Sequence, residues 1–270
     1  MAHLKRWITA IVALPFLLVL MLKGGAFLFA LFISVIGIVA LGEYYRIVFT
    51  PTPNLIKDPV TAFGFLICPL MIWAAYVTSF ESIILLITLN LLVSGCYSLR
   101  QFRSDVRAVE RLFKQVFGIL YIPLLLSFLV LIRNSSQGLV WIFFLLVMVF
   151  ACDTGAFYIG TWLGRNKLCP SVSPNKTIEG SIGGLAAALI AGGIYRLYVI
   201  PDLALGKVML LSIIIGIVGQ IGDLFESECK RYGHIKDSGS ILPGHGGLLD
   251  RIDALLFAAP VVYCFKQYLL

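Results

Sequence analysis

Apolar residues occur along this chain in long runs rather than in alternation with polar residues. Runs such as Ile83–Leu89 lack the two-residue period of a strand in a membrane β-barrel. Segments of roughly 20 apolar residues are long enough to cross a bilayer as helices. The pattern predicts an all-α polytopic integral membrane protein with about nine transmembrane helices, at approximately Trp7–Leu22, Gly25–Leu41, Val60–Phe80, Ser82–Ser98, Leu112–Ile132, Leu139–Trp162, Ile178–Val199, Val208–Ile221 and Leu248–Leu269.

The first and eighth segments are short, so we expect them to be tilted or partly buried in the helix bundle. The first segment also resembles a signal peptide, because Lys5 and Arg6 precede its apolar stretch. A second apolar span follows almost at once, after Lys23. We therefore favour a helix that is retained in the mature protein.

The composition excludes a soluble globular protein. Hydrophobic residues make up 60% of the 270 residues and charged residues only 13%, whereas soluble domains carry about 25% charged residues. The same apolar content excludes intrinsic disorder. The six cysteines are scattered without a C-x-x-C pair, so we expect reduced thiols in the core rather than a zinc site or a disulfide framework.

The basic residues are distributed unequally between the two sets of loops. Five of the 21 lysines and arginines fall on one side of the predicted membrane, and all the others fall on the opposite side. The positive-inside rule then predicts a cytoplasmic N-terminus and a C-terminus outside. The net charge of +7 largely reflects this asymmetry, and it favours anionic lipid over nucleic acid as a partner. The five residues are Lys23, Arg133, Arg196, Lys207 and Lys266.

The acidic residues concentrate late in the chain. Residues 1–100 are interpreted as N-terminal transmembrane helices, residues 101–150 as a middle region with dimer contacts, and residues 151–270 as the catalytic membrane region. Because acids at membrane depth are costly, they normally mark a functional site. Glycines in the last region predict close helix packing through small residues. Nine of the 14 acids lie there: Asp153, Glu179, Asp202, Asp223, Glu226, Glu228, Asp237, Asp250 and Asp253.

Two pairs of acids flank the polar stretch between the last two predicted spans. Asp223 and Glu226 follow the eighth span, and Asp250 and Asp253 open the ninth. Residues three apart share a helix face, and Mg²⁺ prefers carboxylate oxygens together with water and substrate phosphates. Between the pairs lie basic residues and a glycine loop that suit phosphate. The alternative interpretation is a hydrated loop held by ordinary ion pairs.

A second polar cluster precedes the seventh predicted span. Ser173 is a candidate N-cap of that helix, and Pro174 suits its first turn. Lys176 and Thr177 are then placed to bind a phosphate near the helix N-terminus. An ordinary helix start with a lysine on the cytoplasmic side explains the same residues equally well.

With these motifs in place, the chain resembles the phosphatidate cytidylyltransferase (CDP-diacylglycerol synthase) family. The resemblance covers about residues 150–255, and Cys229 and Asn175 depart from the family pattern without affecting a charged motif position. The first half resembles the family only in size and hydropathy. The motif that carries the resemblance is Ser227, Lys230-Arg231, Lys236-Asp237, Pro243-Gly244-His245-Gly246-Gly247 and Asp250-Arg251-Ile252-Asp253, with Asp153-Thr154, Ser173-Pro174, Lys176-Thr177 and Gly222-Asp223 upstream.

The resemblance implies transfer of CMP from CTP to phosphatidate, with release of pyrophosphate. It implies an all-helical membrane fold, Mg²⁺ held by Asp223 and Asp250, a second cation and a homodimer. The loop charges place the site on the cytoplasmic side of the inner membrane. Asp223, Asp250 and Lys236 are the expected catalytic residues. The expected substrate-binding residues are Ser173, Lys176, Thr177, Lys230, Arg231, Asp237, His245, Gly246, Gly247, Arg251 and Asp253.

Other functions remain open at this point. A CTP-dependent lipid kinase would release CDP instead of pyrophosphate, and a related transferase would act on an ether-lipid phosphate. A cation-coupled transporter or channel also uses buried acids, although the acids here cluster toward one side and no inverted repeat is evident. A purely structural scaffold does not require the arrangement from Asp223 to Asp253.

Overall fold

The computed structural model describes residues 15, 17–49, 58–239 and 246–269. Residues 17–23 are helical and precede the first complete helix. A π-helical turn lies at Leu120–Leu124. The other elements are α1 Gly25–Val48, α2 Pro59–Tyr76, α3 Phe80–Gln101, α4 Ala108–Ile119, α5 Leu125–Asn134, α6 Gly138–Leu163, β1 Lys167–Cys169, β2 Ser173–Thr177, α7 Ile178–Tyr198, α8 Leu205–Tyr232 and α9 Leu249–Leu269.

The predicted all-α polytopic membrane fold is confirmed. Within the described ranges, eight segments are helical, long and apolar enough to cross a membrane, with α4, the π-helical turn and α5 forming one of them. Much of the first predicted span, Trp7–Leu22, lies outside the described residues. The predicted shortness of the eighth span is wrong, because α8 has 28 residues and continues through Asp223 to Tyr232.

The helix starts follow local chemistry in several places. Asp58 accepts a hydrogen bond from the Val60 backbone N–H, with Pro59 at the first helical position of α2. Proline has no N–H to donate, and Pro123 lies inside the π-helical turn that interrupts the α4–α5 span. These signals are short-range, and they can be found in the sequence without a structure.

One prediction about a helix start is wrong. Ser173 does not cap the seventh span, because Ser173–Thr177 is a strand that pairs antiparallel with Lys167–Cys169. The cap is Thr177, whose hydroxyl accepts a hydrogen bond from the Gly180 backbone N–H at 3.1 Å. Thr177 occupies extended backbone at φ −124°, as an N-cap requires. The cap lies four residues after Ser173, and the helix begins at Ile178, where the apolar segment was predicted to begin.

The chain divides into two compact units. The first contains the described residues up to Asn134 together with Tyr232–Arg251, and the second contains Ser135–Arg231 with the described residues from Ile252. In the first unit, the buried polar side chains of Asn90 and Gln115 join α3 to α4, with Gln115 Nε2 donating to Asn90 Oδ1 at 2.8 Å. Such bonds hold membrane helices together.

In the second unit, α6 and α7 pack unusually closely through glycines. A Cβ added at Gly184 would lie 2.7 Å from the Cys152 carbonyl oxygen, and one at Gly180 would lie 2.8 Å from the Ala156 carbonyl oxygen. Both obstacles are backbone atoms, so neither can move aside. The predicted packing of small residues is therefore present, and it brings the Asp153 segment of α6 against the start of α7.

We expect Gly184→Ala to destabilise the protein by about 1–3 kcal/mol, because the added methyl group overlaps the α6 backbone. The matched control is Gly206→Ala, since nothing lies within 4 Å of a Cβ at that helical position. Equilibrium unfolding in mixed micelles measures both variants. Equal stabilities of the two variants would contradict the packing role.

The cysteines are free thiols, as expected, but they are not all core residues. Cys68 and Cys152 are buried, whereas Cys96 and Cys264 are exposed on the isolated chain.

Candidate active site

Three carboxylate groups and one lysine form a charged cluster in the second unit. Asp153 lies on α6, Asp223 on α8 and Asp253 near the start of α9, and the three side chains interact electrostatically with one another. Lys176 interacts with the same group, and its Nζ lies 2.7 Å from Asp223 Oδ2. We call Asp153, Lys176, Asp223 and Asp253 the carboxylate cluster. Its formal charge is negative, since one ammonium faces three carboxyl groups.

The short β-hairpin places Lys176 in this cluster. Lys176 lies on β2, directly before the Thr177 cap of α7, so its backbone is fixed both by strand pairing and by the helix start. Its Nζ is inaccessible to solvent, whereas the Asp223 side chain retains 37% of its accessible surface. The accessible part of the ion pair is therefore the acid, which is the partner that a cation or a bound ligand could contact.

A close backbone approach brings Asp223 and Asp253 together. A Cβ at Gly222 would lie 2.6 Å from the carbonyl oxygen of Asp253, so only glycine fits between α8 and α9 at this level. Gly222 precedes Asp223 directly in the chain. The small residue therefore explains how the side chains of two helices converge.

A polar network one turn from the cluster joins three helices. Gln220 Nε2 on α8 donates to Cys152 Sγ on α6 at 3.3 Å and to the Ser181 carbonyl oxygen on α7 at 3.1 Å. Cys152 is the neighbour of Asp153, and Gln220 lies one helical turn before Asp223. The amide of Gln220 thus fixes the relative positions of the helix segments that carry the two acids.

A second arrangement of functional residues lies in the first unit, around Asp250. Its Oδ2 accepts hydrogen bonds from the backbone N–H of Ser238 at 3.1 Å, the hydroxyl of Ser238 at 3.0 Å and the backbone N–H of Gly247 at 2.8 Å. Gly246 has φ +81°, a conformation that favours glycine. The glycine positions of the motif therefore have a geometric reason, namely a left-handed turn beside a carboxylate.

The remaining predicted site residues have varied surroundings. Lys230 forms a 2.6 Å ion pair with the buried Glu226, one turn earlier on α8. The Arg231 Nε donates to the Val172 carbonyl oxygen at 3.1 Å, which anchors the hairpin turn.

Thr177 is buried as the cap of α7, and His245 lies outside the described residues. Lys236, Asp237 and Arg251 are exposed, and Ser173 is partly exposed. The substrate roles of these residues stay predictions.

The predicted metal ligands Asp223 and Asp250 fall in different units, each with its own neighbours. Across the described ranges, no three His, Cys, Asp or Glu side chains are grouped closely enough to enclose a metal ion by themselves. Magnesium commonly uses only one or two carboxylates and completes its shell with water and substrate phosphates. The excess negative charge and the accessible Asp223 carboxylate of the carboxylate cluster fit that chemistry.

Comparison with known proteins identifies the family. The model of the cytidylyltransferase family matches residues 4–269, which is nearly the whole chain. The chain belongs to the cytidylyltransferase family. The match extends over the first half, where the sequence motifs gave only a resemblance in size and hydropathy.

Curated relatives in the cytidylyltransferase family support the assignment. A phosphatidate cytidylyltransferase of Staphylococcus saprophyticus is 36% identical over 260 residues, which cover 95% of this chain and 96% of the relative. The Staphylococcus aureus (strain COL) protein of the same name is 35% identical over 260 residues, with the same coverage. That of Bacillus subtilis is 43% identical over 145 residues, 53% of this chain and 54% of the relative.

Two residues beside Asp250 were missed at the sequence level. Glu43 on α1 is 1% exposed and accepts a hydrogen bond from the Ser238 hydroxyl at 3.1 Å. Ser238 is also buried. The signal for Glu43 was weak, because this acid follows the predicted span Gly25–Leu41 and precedes Arg46, as an ordinary charged helix end does. Ser238 had no signal, because a serine in a polar loop is unremarkable.

Proposed function

We propose that this chain is a phosphatidate cytidylyltransferase, which transfers CMP from CTP to phosphatidate to give CDP-diacylglycerol and pyrophosphate. The observation that carries the proposal is the carboxylate cluster with its Lys176–Asp223 ion pair, in a chain of the cytidylyltransferase family. Carboxylates that attract a divalent cation and an ammonium that attracts phosphate are the groups that nucleotidyl transfer requires. Relatives of similar length carry the corresponding name.

The reaction is an in-line displacement at phosphorus. A phosphate oxygen of phosphatidate forms a bond to the α-phosphorus of CTP, while the bond from that phosphorus to the bridging oxygen of the β-phosphate breaks. Pyrophosphate leaves with the electron pair. The nucleophile is already anionic at neutral pH, so no strong general base is required. The barrier arises from charge repulsion and from positioning of the two substrates.

The basic, glycine and acidic residues have different proposed roles in binding the phosphate groups and the cation. Lys176 orients Asp223 through their ion pair, and its buried ammonium is proposed to offset part of the negative charge that a bound phosphate brings to the carboxylate cluster. Gly246 is partly exposed and is the glycine of this loop that a phosphate could approach closely, whereas Gly247 is buried and its N–H is bound to Asp250. Asp223 and Asp250 are each proposed as Mg²⁺ ligands, and bound Mg²⁺ would neutralise phosphate charge. A further cation remains part of the proposal.

The setting of the reaction follows from the fold. A multi-pass membrane protein can accept a lipid from the bilayer and a soluble nucleotide from water. We propose the cytoplasmic membrane as its location, with the site facing the cytoplasm, because most lysines and arginines lie on the corresponding loops. A homodimer is also proposed, and crosslinking in membranes would test it.

A transfer assay with the purified full-length protein tests the activity. The protein is incubated in detergent–lipid micelles with phosphatidate, Mg²⁺ and CTP labelled in the cytosine ring or, separately, at the γ-phosphate. We expect the ring label in the lipid and the γ-label in pyrophosphate. A γ-label in the lipid with release of CDP would identify a lipid kinase. The absence of labelled lipid would refute both enzyme assignments and favour a transporter.

Lys236→Ala is expected to raise the KM for CTP or phosphatidate by about tenfold, with a smaller change in kcat, because one charge-assisted contact to a phosphate is lost. The control is Arg103→Ala, which removes another exposed positive charge of the first unit. Steady-state kinetics with each substrate varied in turn measure the effect. Unchanged values for both substrates would exclude a phosphate-binding role for Lys236.

A further inference from the structure

A carboxylate is buried within the first apolar helix of the described region. Glu43 lies on α1 with 1% of its surface exposed. Across the described part of the chain, no lysine or arginine forms an ion pair with it. Burying an ionised group is costly unless it is well hydrogen-bonded, and acids within membrane helices normally mark a functional site. Glu43 therefore needs an explanation beyond packing.

Among the described residues, the hydrogen-bond donors to Glu43 lie near the far end of the sequence. Its Oε1 accepts from the Leu248 backbone N–H at 3.0 Å, and its Oε2 accepts from the Leu249 backbone N–H at 2.8 Å. These N–H groups belong to the start of α9, where backbone donors have no partner inside the helix. Glu43 thus caps α9 from another helix, and the positive end of the helix dipole offsets part of its charge.

The same carboxylate reaches Asp250 through one hydroxyl group. Ser238 Oγ lies 3.1 Å from Glu43 Oε2 and 3.0 Å from Asp250 Oδ2. A serine hydroxyl carries a single hydrogen, so it can donate fully to only one of these oxygens at a time. Glu43 and Asp250 therefore compete for Ser238, and the state of one carboxylate affects the hydrogen bonding of the other.

The adjoining glycines show how tightly this arrangement is built. A Cβ at Gly247 would lie 2.7 Å from Glu43 Oε2 and 2.6 Å from the backbone nitrogen of Gly239. A Cβ at Gly239 would overlap the Glu43 carboxylate as well. Gly239 and Gly247 both pack against the Glu43 side chain, so movement of that side chain requires movement of the backbone at these two glycines.

We propose that Glu43 is a positioning residue for the transfer reaction: it holds Ser238 and the start of α9 so that Asp250 keeps the orientation in which it binds a divalent cation. The inference rests on the proposed function, in which Asp250 is a Mg²⁺ ligand. A neutral cap would satisfy the helix N-terminus equally well. Both oxygens of a carboxylate accept hydrogen bonds, so Glu43 holds Ser238, Leu248 and Leu249 at the same time, and Ser238 in turn binds Asp250.

The decisive variant is Glu43→Gln, which preserves the shape and removes the charge. Its amide nitrogen cannot accept hydrogen bonds, so one side of the group loses its donor from Ser238, Leu248 or Leu249. We expect the Mg²⁺ concentration that half-saturates the thermal stabilisation of the purified protein to rise by about tenfold or more, as for other residues that orient a metal ligand. This titration contains Mg²⁺ alone, without CTP or phosphatidate.

The matched control is Gln115→Leu. Gln115 is fully buried in the same unit, and its hydrogen bonds go to Asn90 and Ser94. We expect this variant to lower the melting temperature without changing the half-saturating Mg²⁺ concentration. Ser238→Ala provides a second test, because it removes the shared hydroxyl and retains the backbone N–H that binds Asp250. We expect a smaller shift in the same direction as for Glu43→Gln.

Unchanged half-saturation in Glu43→Gln would overturn the proposal, and so would a shift of the same size in Gln115→Leu. If Glu43→Gln does not fold, the result for Ser238→Ala decides, and an unchanged Mg²⁺ requirement in that variant refutes the positioning role. The failure of the proposed function is a separate result, since it requires wild-type protein that makes no lipid-linked CMP.

Discussion

Asp223→Asn is expected to lower the rate of CMP transfer by at least about a hundredfold while the protein still inserts into the membrane and folds. The substitution keeps the side-chain shape and removes one negative charge from the carboxylate cluster. Lys176 then loses its ion-pair partner at 2.7 Å. Because the Lys176 Nζ is inaccessible to solvent, water does not replace that partner. Both the attraction for a cation and the orientation of the lysine are weakened together.

The transfer assay with labelled CTP measures this effect on protein purified in detergent. Asp202→Asn is the matched control, because Asp202 is an exposed acid in the loop between α7 and α8 of the same unit. The control should retain wild-type turnover. Near-normal turnover of Asp223→Asn itself, at wild-type expression and melting temperature, would remove Asp223 from the catalytic assignment.

Asp250→Asn is expected to cause a loss of the same order, at least about a hundredfold, for a more specific reason. The three hydrogen bonds described for Asp250 converge on one oxygen, Oδ2. The carbonyl oxygen of an asparagine can accept the same three bonds, so the loop around Ser238 and Gly247 should keep its conformation. The lost activity then reports the missing charge rather than a local rearrangement.

Glu81→Gln is the control for this variant, because Glu81 is an exposed acid in the first turn of α3 in the same unit. The melting temperatures of both variants should stay near the wild-type value. An inactive Asp250→Asn with a large fall in melting temperature would point to a structural role, and an active one would contradict the proposed metal ligand.

The transmembrane character of the chain was predictable because it depends on local sequence. A run of apolar residues as long as a bilayer is thick has few stable alternatives to a helix, and every predicted span from Gly25 onward corresponds to a helical span of the structure.

The ends of the helices were less predictable than their existence. Hydropathy shows where apolar residues stop at Ile221, but α8 continues to Tyr232, where the i, i+4 pair of Glu226 and Lys230 supports it.

The start of α7 shows a different limit. Ser173 and Pro174 have the residue types of a helix start, yet they pair as a strand with Lys167–Cys169. Strand pairing depends on a partner segment several residues away, and a local pattern does not report it. The error matters for function, because the hairpin rather than a helix turn places Lys176 beside Asp223.

The sequence by itself determined the membrane-spanning class of this protein, the family motif and the acids at Asp223 and Asp250. These features depend on composition and on spacings of a few residues. Only the tertiary structure decided which groups meet. Glu43 contacts Leu248 and Leu249 across more than 200 positions, and Asp153 joins Asp223 and Asp253 because glycines let three helices approach closely. Long-range contacts of this kind depend on how whole helices pack, which no local pattern encodes.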